Sequence, residues 1–128
     1  ARDAHMDHPM AWFQNFARLL NADAMRCNES GDAAATIPRV IASIRLREAM
    51  QSQSDDLDRI AGVGIMGQGL KLANALLDAG LASKAGPAAI AELRTAASSF
   101  TIRDSQQANS LSGMINQDLQ TLRQKLAK

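Results

Sequence analysis

Apolar residues in this chain recur every three or four positions over long stretches, the spacing of one face of an α-helix. Met10, Trp12, Phe13, Phe16, Leu19 and Leu20 follow it and predict a helix over residues 9–24. Asp7 or His8 can cap it, and Pro9 sits where a missing backbone N–H does no harm. The polar stretch "CNESGDAAATIP" then reads as a loop. A second helix is predicted from Pro38, with Val40, Ile41, Ile44, Leu46, Met50, Leu57 and Ile60 as its apolar side. Within it Leu46, Met50, Gln53, Leu57, Ile60 and Gly64 step 4-3-4-3-4, the seam of a coiled coil.

Downstream, "GQGLKLANALLDAG" predicts a shorter helix at residues 68–79, closed by Gly80. "GLASKAGP" reads as a turn, and Pro87 opens the next helix, striped by Ile90, Leu93, Ala97 and Phe100. Thr101 and Asp104 resemble a capping box, so a kink or fresh start is expected there. The last helix, over residues 104–125, carries Ala108, Leu111, Met114, Ile115, Leu119, Leu122 and Leu126 opposite an amide-rich face. Basic residues close it, as the helix dipole prefers.

One segment interrupts this regularity. Gly62, Gly64 and Gly67 match the G-x-G-x-x-G spacing of a dinucleotide-binding turn. That turn needs a buried strand before it and a second strand after its helix. Here "SQSDDLDRIA" precedes it and the helical "LASKAGPAAIAELRTAASS" follows, so no cofactor is expected. Ile60, Val63, Met66, Leu70, Ala73 and Leu77 keep helical spacing through the glycines, but four glycines inside a helix cost on the order of 3–4 kcal/mol against alanine. Either bare glycine faces admit a neighbouring helix, or the segment breaks; a break at residues 61–68 is the expectation.

Composition agrees with helix throughout. Three Phe, one Trp and no Tyr leave little for strands, and 128 residues can bury a core without disulfide or metal. The expected fold is all-α, a four- to five-helix antiparallel bundle with long coiled-coil-like helices, one domain over residues 9–128. Residues 1–8 read as a flexible leader, with "ARDAHM" resembling a cloning junction, and metal binding at His5 and His8 would be adventitious. Fourteen basic and thirteen acidic residues form no basic stripe, which argues against nucleic acid. Cys27 is alone and excludes an intrachain disulfide. No bilayer-length apolar run or cleavable signal is visible. Asp55, Asp56 and Asp58 spread around a helix rather than converge, and no hydrolase, zinc or phosphate-loop motif occurs, so no enzyme is expected.

The segments "AAIAELRTAASSFTIRDSQQANSLSGMINQDLQTLRQKL" (residues 88–126) and "IRLREAMQSQSDDLDRI" (residues 44–60) resemble the EspA-type filament and needle-tip subunits of bacterial type III secretion systems. The shared feature is a pair of heptad-patterned helices with amide-rich faces. The resemblance implies a subunit that polymerises through paired helices and binds a chaperone before export. It is secreted by a signal-peptide-independent route, or held in the bacterial cytoplasm beforehand. By position, Leu46, Met50, Leu57 and Ile60 would face Leu111, Ile115, Leu119, Leu122 and Leu126. The aromatic first helix has no counterpart in that family, and the middle is shorter.

Two functional expectations follow. One is a non-enzymatic assembly subunit with a protein partner. The alternative is an adaptor, chaperone-like or membrane-targeting module of a bacterial effector, with Trp12, Phe13 and Phe16 as its surface. That helix has the apolar stripe of an interfacial helix but few cations, so core packing is favoured over membrane contact.

Overall fold

A computed structural model describes residues 9–50, 56–100 and 109–127 of the chain. The side chains of residues 9–10, 47–50, 56–63 and 109–112 fall outside that description. Among the described residues every regular element is helical: α1 (Pro9–Glu29), α2 (Ala33–Met50), α3 (Asp56–Asp78), α4 (Leu81–Ala85), α5 (Pro87–Ser99) and α6 (Asn109–Leu126). The all-α bundle read from the periodicity is the fold. The leader at residues 1–8, the Asp7/His8 cap, Gln53 and the Thr101/Asp104 box lie outside the described residues.

The "CNESGDAAATIP" loop is much shorter than its polarity suggests. Gly31 adopts a positive φ of 92°, ending α1, and the Asp32 amide donates back to the Cys27 carbonyl at 2.9 Å. The Asp32 carboxylate immediately caps α2 by accepting the Ala35 amide at 3.1 Å. Helix α2 therefore starts at Ala33, and Pro38 lies inside it. Pro38 removes the bond that would end on the Ala34 carbonyl; both residues are exposed, so water can solvate that oxygen.

α2 is the central helix, touching α1, α3, α4 and α5. Thr36, Ile37, Val40, Ile41, Ser43 and Ile44 are all buried. All of these but Ser43 are β-branched and mediocre helix formers, and packing overrides the preference: each aliphatic side chain so buried is worth about 1.5–3 kcal/mol.

The rod predicted from Pro38 to Ile60 is instead two helices lying side by side. Ile44 abuts Gly69, and Leu46 joins Ile65, so α2 and α3 run antiparallel. The series from Leu46 to Gly64 is accordingly not one straight seam. Residues 51–55, "QSQSD", supply no apolar side chain with which to continue it.

No break occurs at residues 61–68, contrary to expectation: α3 continues as helix through all four glycines. The close-approach reading explains two of them. A Cβ on Gly69 would stand 2.6 Å from Ile44 Cγ1, and one on Gly67 would stand 2.9 Å from Ile115 Cδ1. α3 thus presses α2 at one glycine and α6 at the other. Gly67–Ile115, Asn74–Asp118 and Asp78–Lys125 contacts show that α3 and α6 run in the same sense, a departure from the antiparallel expectation. The α1/α2 and α5/α6 pairs are antiparallel, set by Asp23–Arg39 with Ala17–Leu46, and by Arg94–Leu126 with Arg123–Ala97. The "GLASKAGP" turn winds into α4, whose Leu81 is buried in the core.

These contacts separate the glycines experimentally. Gly64 has open space where a Cβ would stand. Gly64→Ala is therefore expected to stabilise by about 0.5–1 kcal/mol, the helix-propensity gain. Gly69→Ala must push Ile44 aside, and overpacking of about 1–3 kcal/mol outweighs that gain. Urea denaturation of the two variants beside the parent checks the opposite signs.

Candidate functional site

Of the five helix-pairing residues expected on α6, the four whose side chains are described are buried within this chain. Ile115, Leu119, Leu122 and Leu126 belong to the same core as Leu70, Leu93 and Phe100. Leu46 is half-buried against Ala17 and Ile65. Met50, Leu57, Ile60 and Leu111 have helical backbone, and their side chains lie outside the described residues. So do the carboxylates of Asp56 and Asp58, and the whole of Asp55.

Three cations hold these helix ends together. Arg123 donates to the Ala97 carbonyl at 3.0 Å and to Phe100 at 2.7 Å, across the C-terminus of α5. Arg94 of α5 donates in return to the Leu126 carbonyl at 2.7 Å, at the C-terminus of α6. Lys125 reaches the end of α3, donating to the Asn74 carbonyl at 3.3 Å and pairing with Asp78 at 2.9 Å. The Ala97 and Leu126 carbonyls fall in the last turn of their helices, where no intrahelical amide follows and the dipole is negative, and Lys125 adds its charge near the same end of α3. The basic close of α6 was visible in the sequence; its targets on other helices were not.

α1 differs, because it presents two apolar faces. Ala17 and Ala24 are buried toward α2 and α3, with Phe13 half-buried against Ala17, Leu46 and Ile65. Small alanines bring the helices close but leave the outer face uncovered. There Trp12 is 58% exposed, Phe16 39% and Leu19 66%. The Trp12 ring meets Phe13 edge-on at 5.0 Å and lies 5.2 Å from Phe16, forming one aromatic cluster. Leu19, seven residues beyond Trp12, extends the line. Trp12 and Phe16 are thus surface residues, Phe13 is mainly a core contact, and Leu19 joins the surface. The 12-16-19 spacing was the available signal for Leu19.

Beyond Leu19 the same line turns charged. The Asp23 carboxylate accepts from Arg39 of α2 and from Arg26 one turn along. The Arg39 bond, then the Arg26 bond, holds Asp23 below its ordinary carboxyl range, and Asp23 raises Arg39 in turn. Cys27 is half-buried nearby. Among the described residues no group of three His, Cys, Asp or Glu gathers in metal-binding array, and no helix is long and apolar enough to cross a membrane. Comparison of the chain with protein-family models, curated proteins and solved structures finds no match.

Two outcomes follow. Leu122→Ala is expected to cost about 2–5 kcal/mol in denaturant melts, as a core truncation does. The depressed Asp23 carboxyl stabilises the fold above its unfolded value near 3.8, and that contribution disappears as pH falls through the lower folded value. Asp23→Asn should therefore lower the urea midpoint at neutral pH, with the gap to the parent narrowing as pH falls below 3.8 toward the lower folded value. A gap unchanged in acid would contradict the Asp23–Arg39 tie.

Proposed function

We propose that this chain is a non-enzymatic helical association subunit that meets protein through the outer face of α1. The observation carrying this reading is the line of Trp12, Phe16 and Leu19, large side chains left in solvent on a helix whose other face is packed. Scattered exposed apolar residues are ordinary, but a contiguous aromatic cluster is a contact surface. Trp is enriched at such surfaces because one rigid ring covers much area at low entropic cost.

The likeness of residues 44–60 and 88–126 to secretion-filament and needle-tip subunits supports the same role, an exported subunit that assembles through helices. It does not choose the helix. Ile115, Leu119, Leu122 and Leu126 are buried inside the chain, whereas among the described residues Trp12, Phe16 and Leu19 of α1 form an exposed apolar line and Met114 is the exposed large apolar residue of α6. A substitution such as Leu119→Asp would test folding rather than association. Charge favours protein over lipid as the occupant. Arg18 and Arg26 on α1 are balanced by Asp23 and Glu29, whereas an interfacial helix uses a cationic polar face.

Sedimentation across a wide concentration range tests this reading. The expected result is a mass that rises with concentration, with emission from Trp12, the sole tryptophan, shifting to the blue as it is covered. Leu19→Glu, at an exposed position, should abolish both changes while leaving helicity intact. A mass that stays monomeric throughout, or co-sedimentation with anionic vesicles in place of self-association, would overturn it.

A further inference from the structure

Resting on the association reading above, we infer that the partner of α1 is α1 of a second copy, paired antiparallel about a twofold axis at Leu19. The first argument is register. α1 spans Pro9–Glu29, and Leu19 is its midpoint. Trp12, Phe16, Leu19, Asp23 and Arg26 step 4-3-4-3 along its outer side, the spacing of a pairing seam. Centring two antiparallel helices on Leu19 overlaps all 21 residues of each, a strip about 30 Å long.

The second argument is complementarity. In that register residue positions sum to thirty-eight, so Trp12 of one copy stands opposite Arg26 of the other. The Arg26 side chain is 77% exposed, and a guanidinium over an indole face is a favourable contact made twice in the dimer. Phe16 falls beside the exposed Ala22 of the second copy, where there is room for a ring. The two Leu19 side chains meet on the axis. Asp23 keeps its bond to Arg39 on the flank. A parallel pairing would instead set Arg26 against Arg26 and forfeit the aromatic–cation contacts. A register centred on Phe16 would overlap fewer residues and leave Arg26 beyond the partner helix.

Area agrees with a reversible dimer. A strip of that length, on the order of 1,000 Å² in all, stands at the lower edge of specific interfaces. One closed twofold contact also uses the same patch on both copies, so it ends at a dimer rather than a fibre.

Disulfide trapping decides the geometry. In a Cys27→Ser background, Leu19→Cys is expected to oxidise rapidly to a covalent dimer, because a residue on a twofold axis faces itself. Trp12→Cys and Phe16→Cys alone should link slowly, while Trp12→Cys with Arg26→Cys in one chain should link efficiently between copies. A second measurement leaves Leu19 in place: Arg26→Gln should weaken dimerisation roughly fivefold to tenfold, with no added loss when Trp12→Leu is combined with it. If the parent associates but Phe16→Cys or Trp12→Cys links faster than Leu19→Cys, this pairing is overturned and association through α1 stands. If the parent stays monomeric at every concentration, both fall.

Discussion

The bundle depends on how closely α3 approaches its neighbours, and two bare positions set that distance. At Gly69 the backbone of α3 lies against Ile44, and at Gly67 it lies against Ile115, each closer than a Cβ would allow. Glycine inside a helix is intrinsically costly. The cost is offset here because each missing Cβ lets a large aliphatic side chain on α2 or α6 sit against backbone, where dispersion contacts are dense. Everything else in the core is arranged around this: Leu70, Ala73 and Leu76 fill the same side of α3, and Met66 joins them. The motif resembling a nucleotide turn is thus a packing device, with helix where that turn would require a strand and a loop.

Close packing sets the middle of the bundle, and cations finish one end of it. Arg94, Arg123 and Lys125 tie the C-termini of α5, α6 and α3 to one another. Carbonyls at a helix C-terminus need partners, and a long basic side chain from a neighbouring helix can provide one while its stem covers apolar surface. With Lys125 at the end of α3, that helix and α6 are held in the same sense. Ile115, Leu119, Leu122 and Leu126 of α6 are consequently covered by its neighbours and form part of this chain's own core.

That sealing moves the surface question to α1. Ala17 and Ala24 are the fully buried residues of its inner face, with Phe13 packed beside them, and such small alanines anchor a helix without enclosing it. The Asp23–Arg39 tie helps hold α1 on α2. Trp12, Phe16 and Leu19 face outward from a helix already fixed in place, which is a preorganised geometry and lowers the ordering cost of meeting a partner.

The existence of the helices was legible in the sequence, since the three-to-four spacing of Leu, Ile, Val and Met is a property of the chain alone. So were the all-α class, the Pro87 start and the Gly80 stop, because dihedral preferences act locally. Tertiary structure decided three things. It joined the glycine segment into α3, since only the nearness of Ile44 and Ile115 distinguishes a glycine that breaks a helix from one that lets a helix close. It folded the apparent seam of Leu46 to Gly64 into two antiparallel helices, because a heptad pattern states which face is apolar and not what covers it. For the same reason it left Trp12, Phe16 and Leu19 of α1 to solvent and buried Ile115, Leu119, Leu122 and Leu126 of α6, through contacts made by residues far apart along the chain.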